Sequence, residues 1–113
     1  MELKVISYEE EKLLLSNPQN HNWGYICSMR SFSKEQILLF NDYINWYYFS
    51  LYQSLSEEDI IEYKDKLNWN LISQFQKLSL SFINKFIEKI NFQYLKYNHL
   101  IDKETKDLFK MFY

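Results

Sequence analysis

Residues Asn45–Leu67 read NWYYFSLYQSLSEEDIIEYKDKL, and the stretch that follows, Asn68–Ile90, reads NWNLISQFQKLSLSFINKFIEKI. Both begin Asn-Trp, carry Ser at the sixth place and Gln at the ninth, and reach Leu-Ser at the eleventh and twelfth. The same heading stands one period earlier at Asn22-Trp23 and, with Phe for Trp, one period later at Asn91-Phe92. Four such repeats, 22–44, 45–67, 68–90 and 91–113, reach the last residue given. A fixed period of about 23 residues means stacked supersecondary units rather than one irregular core.

Numbering slots from each Asn gives the local structure. Slot 2 is Trp23, Trp46, Trp69 and Phe92; slot 5 is Ile26, Phe49, Ile72 and Leu95; slot 8 is Met29, Tyr52, Phe75 and Asn98. Apolar residues three apart read as a helix. Asn at slot 1 is a good N-cap, because its side-chain oxygen can accept from a free N–H one turn in. Slot 12 is Ser33, Ser56, Ser79 and Asp102, again N-cap types, and Ser33 with Gln36 spells a capping box. Ser56 with Asp59 is a weaker version. A second helix follows, with apolar residues at slots 16, 19 and 23, such as Ile37, Phe40 and Ile44. Each repeat therefore predicts helices over slots 2–10 and 13–22, joined by a turn.

A helix of about nine residues is marginal alone in water, so neighbouring repeats must cover its faces. The expected architecture is all-α: a short α-solenoid of four two-helix repeats with an N-terminal capping segment, 1–21. In that segment Ser7 and Glu10 form another capping box ahead of Leu13, Leu14 and Leu15, and Asn17-Pro18 ends the helix. Residues 2–6 read as extended or disordered. The fourth repeat, with Asn98 at slot 8 and Lys106 at slot 16, reads as a polar, solvent-facing end. The Trp column, Trp23, Trp46, Trp69 and Phe92, reads as structural core, a ladder of rings between repeats.

The stretch Asn68–Ile83, NWNLISQFQKLSLSFI, resembles tandem repeats in proteins of giant viruses, phages and some low-GC bacteria, which share a Trp, Ile-Ser, Gln, Leu-Ser, Phe-Ile pattern. The match spans residues 22–113 and is closest in the second and third repeats. Gly24 and Arg30 depart from it in the first, and the fourth lacks the Trp. The resemblance implies a helical stack and carries no activity or catalytic residue.

The 113 residues bound one domain, 47% hydrophobic and 19% aromatic, with one Gly and one Pro. That composition favours helices joined by tight polar turns. Net charge is −2, but residues 1–67 hold 11 acidic and 6 basic side chains and residues 68–113 hold 4 and 7. The halves thus differ in potential. No apolar run approaches the roughly 18 residues of a membrane span, and the start lacks a signal-peptide core, so a cytoplasmic protein with no membrane partner is expected.

Chemistry-bearing residues are few. Cys27 shares slot 6 with Ser50 and Ser73, a position that asks for a small side chain where helices approach. A lone Cys also suits a reducing compartment. His21 and His99 lie far apart in the chain without a metal-ligand spacing, and His99 shares slot 9 with Arg30, Gln53 and Gln76, read as an ordinary polar position. One glycine cannot build a phosphate-cradling loop. The reading is no enzyme, no cofactor and no metal.

Slot 4 reads Tyr25, Tyr48, Leu71 and Tyr94, and with Tyr47 and Tyr97 predicts a row of phenols along one side. Tyrosine gives large contact area with few rotatable bonds, so these residues are the candidate partner-binding surface; boundary tyrosines are the competing reading. The expected function is a non-enzymatic protein-binding module, such as a phage or viral inhibitor occluding a larger host defence protein. One alternative is single-stranded nucleic-acid binding through aromatic stacking and the Lys-rich second half. Another is a self-associating scaffold.

Overall fold

The computed structural model describes residues 2–113. It divides into two compact units, one ending at Gln53 and the other spanning Ser54–Tyr113. The division falls inside the second repeat, between its two helices.

In the first unit, β1 (Lys4–Val5) leads into α1 (Tyr8–Ser16). Both limbs of the capping box form: the Glu10 amide donates to Ser7 Oγ at 3.1 Å and the Ser7 amide to Glu10 Oε1 at 3.3 Å. Asn17 and a 3-10 turn at Pro18–Asn20 end this helix. Asn22 then caps α2 (Trp23–Met29), its side chain accepting the Tyr25 amide at 3.0 Å. β2 (Arg30–Ser31) pairs in parallel with β1, so of the stretch 2–6 Lys4 and Val5 are extended strand. α3 (Lys34–Leu39) carries the Ser33–Gln36 box, and Asn45 caps α4 (Trp46–Tyr52). α4 packs alongside α2. Ile6, Leu14, Trp23, Phe32, Ile37, Phe40, Ile44 and Phe49 form the buried core here.

The second unit holds α5 (Glu57–Glu62), α6 (Trp69–Phe75), α7 (Leu80–Lys85), α8 (Phe92–Leu95), α9 (Lys103–Asp107) and a terminal 3-10 turn at Lys110–Phe112. α6 packs alongside α8, as α2 does with α4. Its core includes Ile60, Leu67, Leu71, Ile72, Phe82, Ile83, Ile90, Leu95 and Phe109. The Ser56–Asp59 box forms both limbs. Ser79 lacks a carboxylate three residues on; its amide donates instead to Glu57 Oε2 at 2.6 Å. Glu57 thus ties two repeats together, beyond favouring the start of its own helix. The fold is all-α apart from the short β pair.

The second helices run six residues or fewer and end by slot 18, not slot 22; in the first three repeats the slot 19 aromatic, Phe40, Tyr63 or Phe86, leaves helical geometry as the C-cap. The first helices run seven residues or fewer, not the nine expected. The cause there is slot 9. Gln53 and Gln76 turn to extended backbone, with ψ of 142° and 149°, and are buried, with only 5% and 4% of their surface exposed. Slot 9 is therefore not an ordinary polar position. Gln53 Nε2 donates to the carbonyls of Cys27 at 2.9 Å and Arg30 at 2.7 Å, and Gln53 Oε1 accepts the Phe32 amide at 3.4 Å. A short helix leaves its last carbonyls without partners; here the next repeat supplies one. Gln76 Oε1 likewise accepts the Leu55 amide at 3.0 Å.

The fourth repeat corrects a further expectation. Asn98 does not face solvent; it is fully buried. Because α8 stops early, Asn98 falls where the glutamine sits elsewhere, and its Nδ2 donates to the Ser73 and Gln76 carbonyls, both at 2.8 Å. Lys106, half-buried, aims Nζ at the Asn98 carbonyl at 3.1 Å and the Lys96 carbonyl at 3.4 Å. The last short helix thus receives its donors from within its own repeat.

Trp23 is buried, while Trp46 and Trp69 are half-buried. Trp23 packs against Phe40 at 5.1 Å, Trp69 against Phe86 at 5.6 Å and Phe92 against Phe109 at 5.6 Å, each a slot 2 ring on the slot 19 ring of its own repeat. The indole N–H groups of Trp23 and Trp69 donate to carbonyls earlier in the chain, Pro18 at 2.7 Å and Lys64 at 2.8 Å. Trp23, Trp69 and Phe92 thus each fasten the two helices of one repeat. Among the described residues no helix is long and apolar enough to cross a membrane.

Gln53→Leu would strand two carbonyls and an amide in the core, at about 1–3 kcal/mol per unsatisfied group. It is expected to destabilise the protein by about 2–4 kcal/mol in urea unfolding, once partial relaxation around the site is allowed for. A loss below about 0.5 kcal/mol, the low end for a single hydrogen bond, would mean that the amide clamp carries no stability.

Candidate partner-binding site

Side-by-side packing of α2 and α4 sets the geometry of the candidate surface. Slot 3 of α2 is Gly24, the only glycine in the chain. The Tyr48 ring of α4 lies over it, and a Cβ built on Gly24 would stand 3.0 Å from Tyr48 Cδ2. Glycine in a helix costs about 0.5–1 kcal/mol relative to alanine. Here it admits a ring that a side chain would displace. Tyr52, one turn further along α4, holds its ring nearly parallel to that of Tyr48, at 11° and 6.3 Å between centroids. Tyr47 meets Tyr48 edge-on at 5.4 Å. Asn22, Gly24, Tyr25, Ser28, Tyr48 and Tyr52 enclose a shallow cleft of about 270 Å³. Tyr25 is 62% exposed, Tyr48 39% and Tyr52 46%.

Of the five tyrosines proposed from sequence, the structure brings Tyr25, Tyr47 and Tyr48 into the first unit, with Tyr25 and Tyr48 lining one cleft. Tyr94 and Tyr97 lie exposed in the second unit. Leu71, the slot 4 residue between them in sequence, is buried. The repeat pattern assigns Tyr52 to the inward slot 8, yet it belongs to the cleft. Slot 8 is the last residue of a seven-residue helix, so its side chain reaches the edge of the packed layer; Phe75, at the same slot, is also exposed. The wide spread of slot 8 chemistry, Met, Tyr, Phe and Asn, is the signal that could have shown it.

The other candidate residues take structural roles. Cys27 is fully buried, like Ser50 and Ser73. Burial pushes its thiol up to about 11 from an ordinary 9.0, against the opposing effect of a hydrogen bond from the Asn45 amide. The Asn91 amide makes the equivalent bond to Ser73 Oγ at 3.0 Å. Slot 6 must therefore be small and also accept an N–H from the next repeat. His21 lines a separate concavity of about 160 Å³ with Leu13, Leu14, Ile26 and Met29, beside the Glu10–Arg30 ion pair at 2.8 Å. The guanidinium beside Glu10 holds its carboxyl below the usual range. His99 is exposed. No group of three or more metal-ligating side chains converges among the described residues.

Three lysines of the second unit lie on aromatic faces. Lys89 Nζ stands 5.7 Å from the Trp69 ring, Lys85 5.5 Å from Phe86 and Lys96 5.2 Å from Tyr97. A base stacking there would have to displace them.

Comparison with protein-family models, curated proteins and solved structures gives no match.

Two outcomes test this geometry. Gly24→Ala, which would stabilise an unhindered helix by about 0.5–1 kcal/mol, is expected to be neutral or destabilising in urea because the added methyl meets Tyr48. A full gain would show that Tyr48 moves away freely. For Cys27, a raised folded pKa means stability held below the unfolded value and lost as pH rises through about 9 towards 11. The stability difference between the natural chain and Cys27→Ser should therefore shift against the natural chain across that window, followed by denaturation at each pH.

Proposed function

We propose that the four repeats form a short α-solenoid that works as a non-enzymatic protein-binding module through the tyrosine cleft of the first unit. One observation carries the reading: Tyr25, Tyr48 and Tyr52 present exposed rings around a cleft that the only glycine in the chain keeps open. Large, stiff tyrosine rings with free hydroxyls are the residues from which interface hot spots are built. The four-layer architecture is supported by the recurrence of one buried amide clamp, at Gln53 in the first unit and Asn98 in the second. The non-catalytic reading is supported by the burial of the sole thiol. The resemblance of the repeats to those of giant viruses, phages and low-GC bacteria supports a biological setting: a phage or viral inhibitor in the host cytoplasm that occludes a larger host protein. Nucleic-acid binding is disfavoured by the lysines that already occupy the ring faces of the second unit.

The test is affinity capture from host lysate with the natural chain and with a Tyr25→Ala, Tyr48→Ala double variant of unchanged thermal unfolding. Loss of one hot-spot residue costs about 2 kcal/mol, or roughly 30-fold in affinity. A captured protein should therefore disappear with the double variant. Equal capture by both would remove the cleft from the account.

A further inference from the structure

We propose that the cleft formed by Tyr25, Tyr48 and Tyr52 receives an arginine side chain from the partner protein. The proposal rests on the protein-binding reading of the same cleft and names the chemistry it selects. The lining residues, Asn22, Gly24, Tyr25, Ser28, Tyr48 and Tyr52, are all uncharged. Their aromatic faces carry negative quadrupole potential, which draws a cation to within about 6 Å of a ring centroid. Among the described residues the three phenol hydroxyls make no hydrogen bond, and they remain able to accept one. Residues 1–53 hold six acidic and four basic side chains, a net of −2, a balance that favours the approach of a cation over an anion.

The chain makes the same pairing internally. Lys12 Nζ stands 4.8 Å from the Tyr8 ring and Lys96 Nζ 5.2 Å from Tyr97. The cleft is a tyrosine cluster without a lysine or arginine in its lining. Its shape favours arginine over lysine. The guanidinium is planar, lies flat on a ring and donates in its own plane. Tyr48 and Tyr52 offer nearly parallel rings at 11°, with phenol and amide oxygens beside them. An anionic or phosphorylated segment would meet no cationic side chain in the lining, and an apolar helix would bury hydroxyls without partners.

The experiment is an NMR titration of the full chain with two capped tripeptides, acetyl-Ala-Arg-Ala-amide and its citrulline analogue, which keeps the shape and loses the charge. The arginine peptide should shift the ring resonances of Tyr25, Tyr48 and Tyr52 and bind about two- to fivefold more tightly than the citrulline peptide. Tyr25→Phe should retain that preference and Tyr25→Leu should lose it, with an unchanged amide spectrum elsewhere reporting the fold. Equal binding of the two peptides, shifts that map away from the cleft, or an arginine preference that survives in Tyr25→Leu would each overturn the proposal. Choline, added as a third probe, overturns the side-chain assignment if it binds the cleft more tightly than the arginine peptide. Arginine preference without any tyrosine-dependent capture from lysate would leave the cleft chemistry standing and remove the protein-binding role.

Discussion

A seven-residue helix has almost as many unpartnered terminal carbonyls as internal hydrogen bonds, and every helix of the repeats is that short or shorter. The amide of Gln53 answers that problem for α2. It places two donors against the Cys27 and Arg30 carbonyls and one acceptor against the Phe32 amide. Burying a side-chain amide is costly unless its hydrogen bonds are made, and in this position they are. The clamp therefore sets both the end of the helix and the distance to its neighbour. With Asn98 the same carbonyls, at slots 6 and 9, are met by a side chain one methylene shorter, from a helix that stops sooner.

The clamp explains why other slots tolerate so little. With the layers held at that separation, slot 6 must be small, and Cys27, Ser50 and Ser73 have no exposed surface. The slot 1 Asn does double duty. Its side chain caps its own helix, and the backbone amides of Asn45 and Asn91 bond back to Cys27 and Ser73 of the preceding repeat. Backbone polar groups that helix length leaves over are absorbed by polar side chains across the layer, while Phe, Ile and Leu at slots 5, 16 and 19 exclude water. Trp23 and Trp69 each join the two helices of a repeat and fix the indole N–H on a carbonyl of the segment before it.

The cleft is a by-product of the same packing. Once α4 lies beside α2, the slot 4 ring of one helix falls over slot 3 of the other. Only the first repeat has a glycine there; with it the Tyr48 ring settles onto backbone and leaves Tyr25 and Tyr52 standing as walls. The functional reading thus depends on a departure from the repeat. Gly24 breaks the pattern and costs helix propensity, and it leaves room for the Tyr48 ring over the backbone of α2.

Much of this could be read from the chain alone. The fixed period, Asn and Ser at cap positions and apolar spacings of three and four are local signals, because capping and helical amphipathicity act over a few residues. They were enough for the helices, their starting points, the capping boxes at Ser7, Ser33 and Ser56, and the need for a small residue at Cys27. Tertiary structure decided the rest. That Gln53 and Asn98 are interior, that helices stop at slot 8, that Tyr52 faces the cleft and that Leu71 does not continue the tyrosine row all depend on which carbonyls and rings a neighbouring layer brings near. A polar side chain looks the same in sequence whether water or a stranded backbone carbonyl is its partner, and only the packed neighbour determines which it meets.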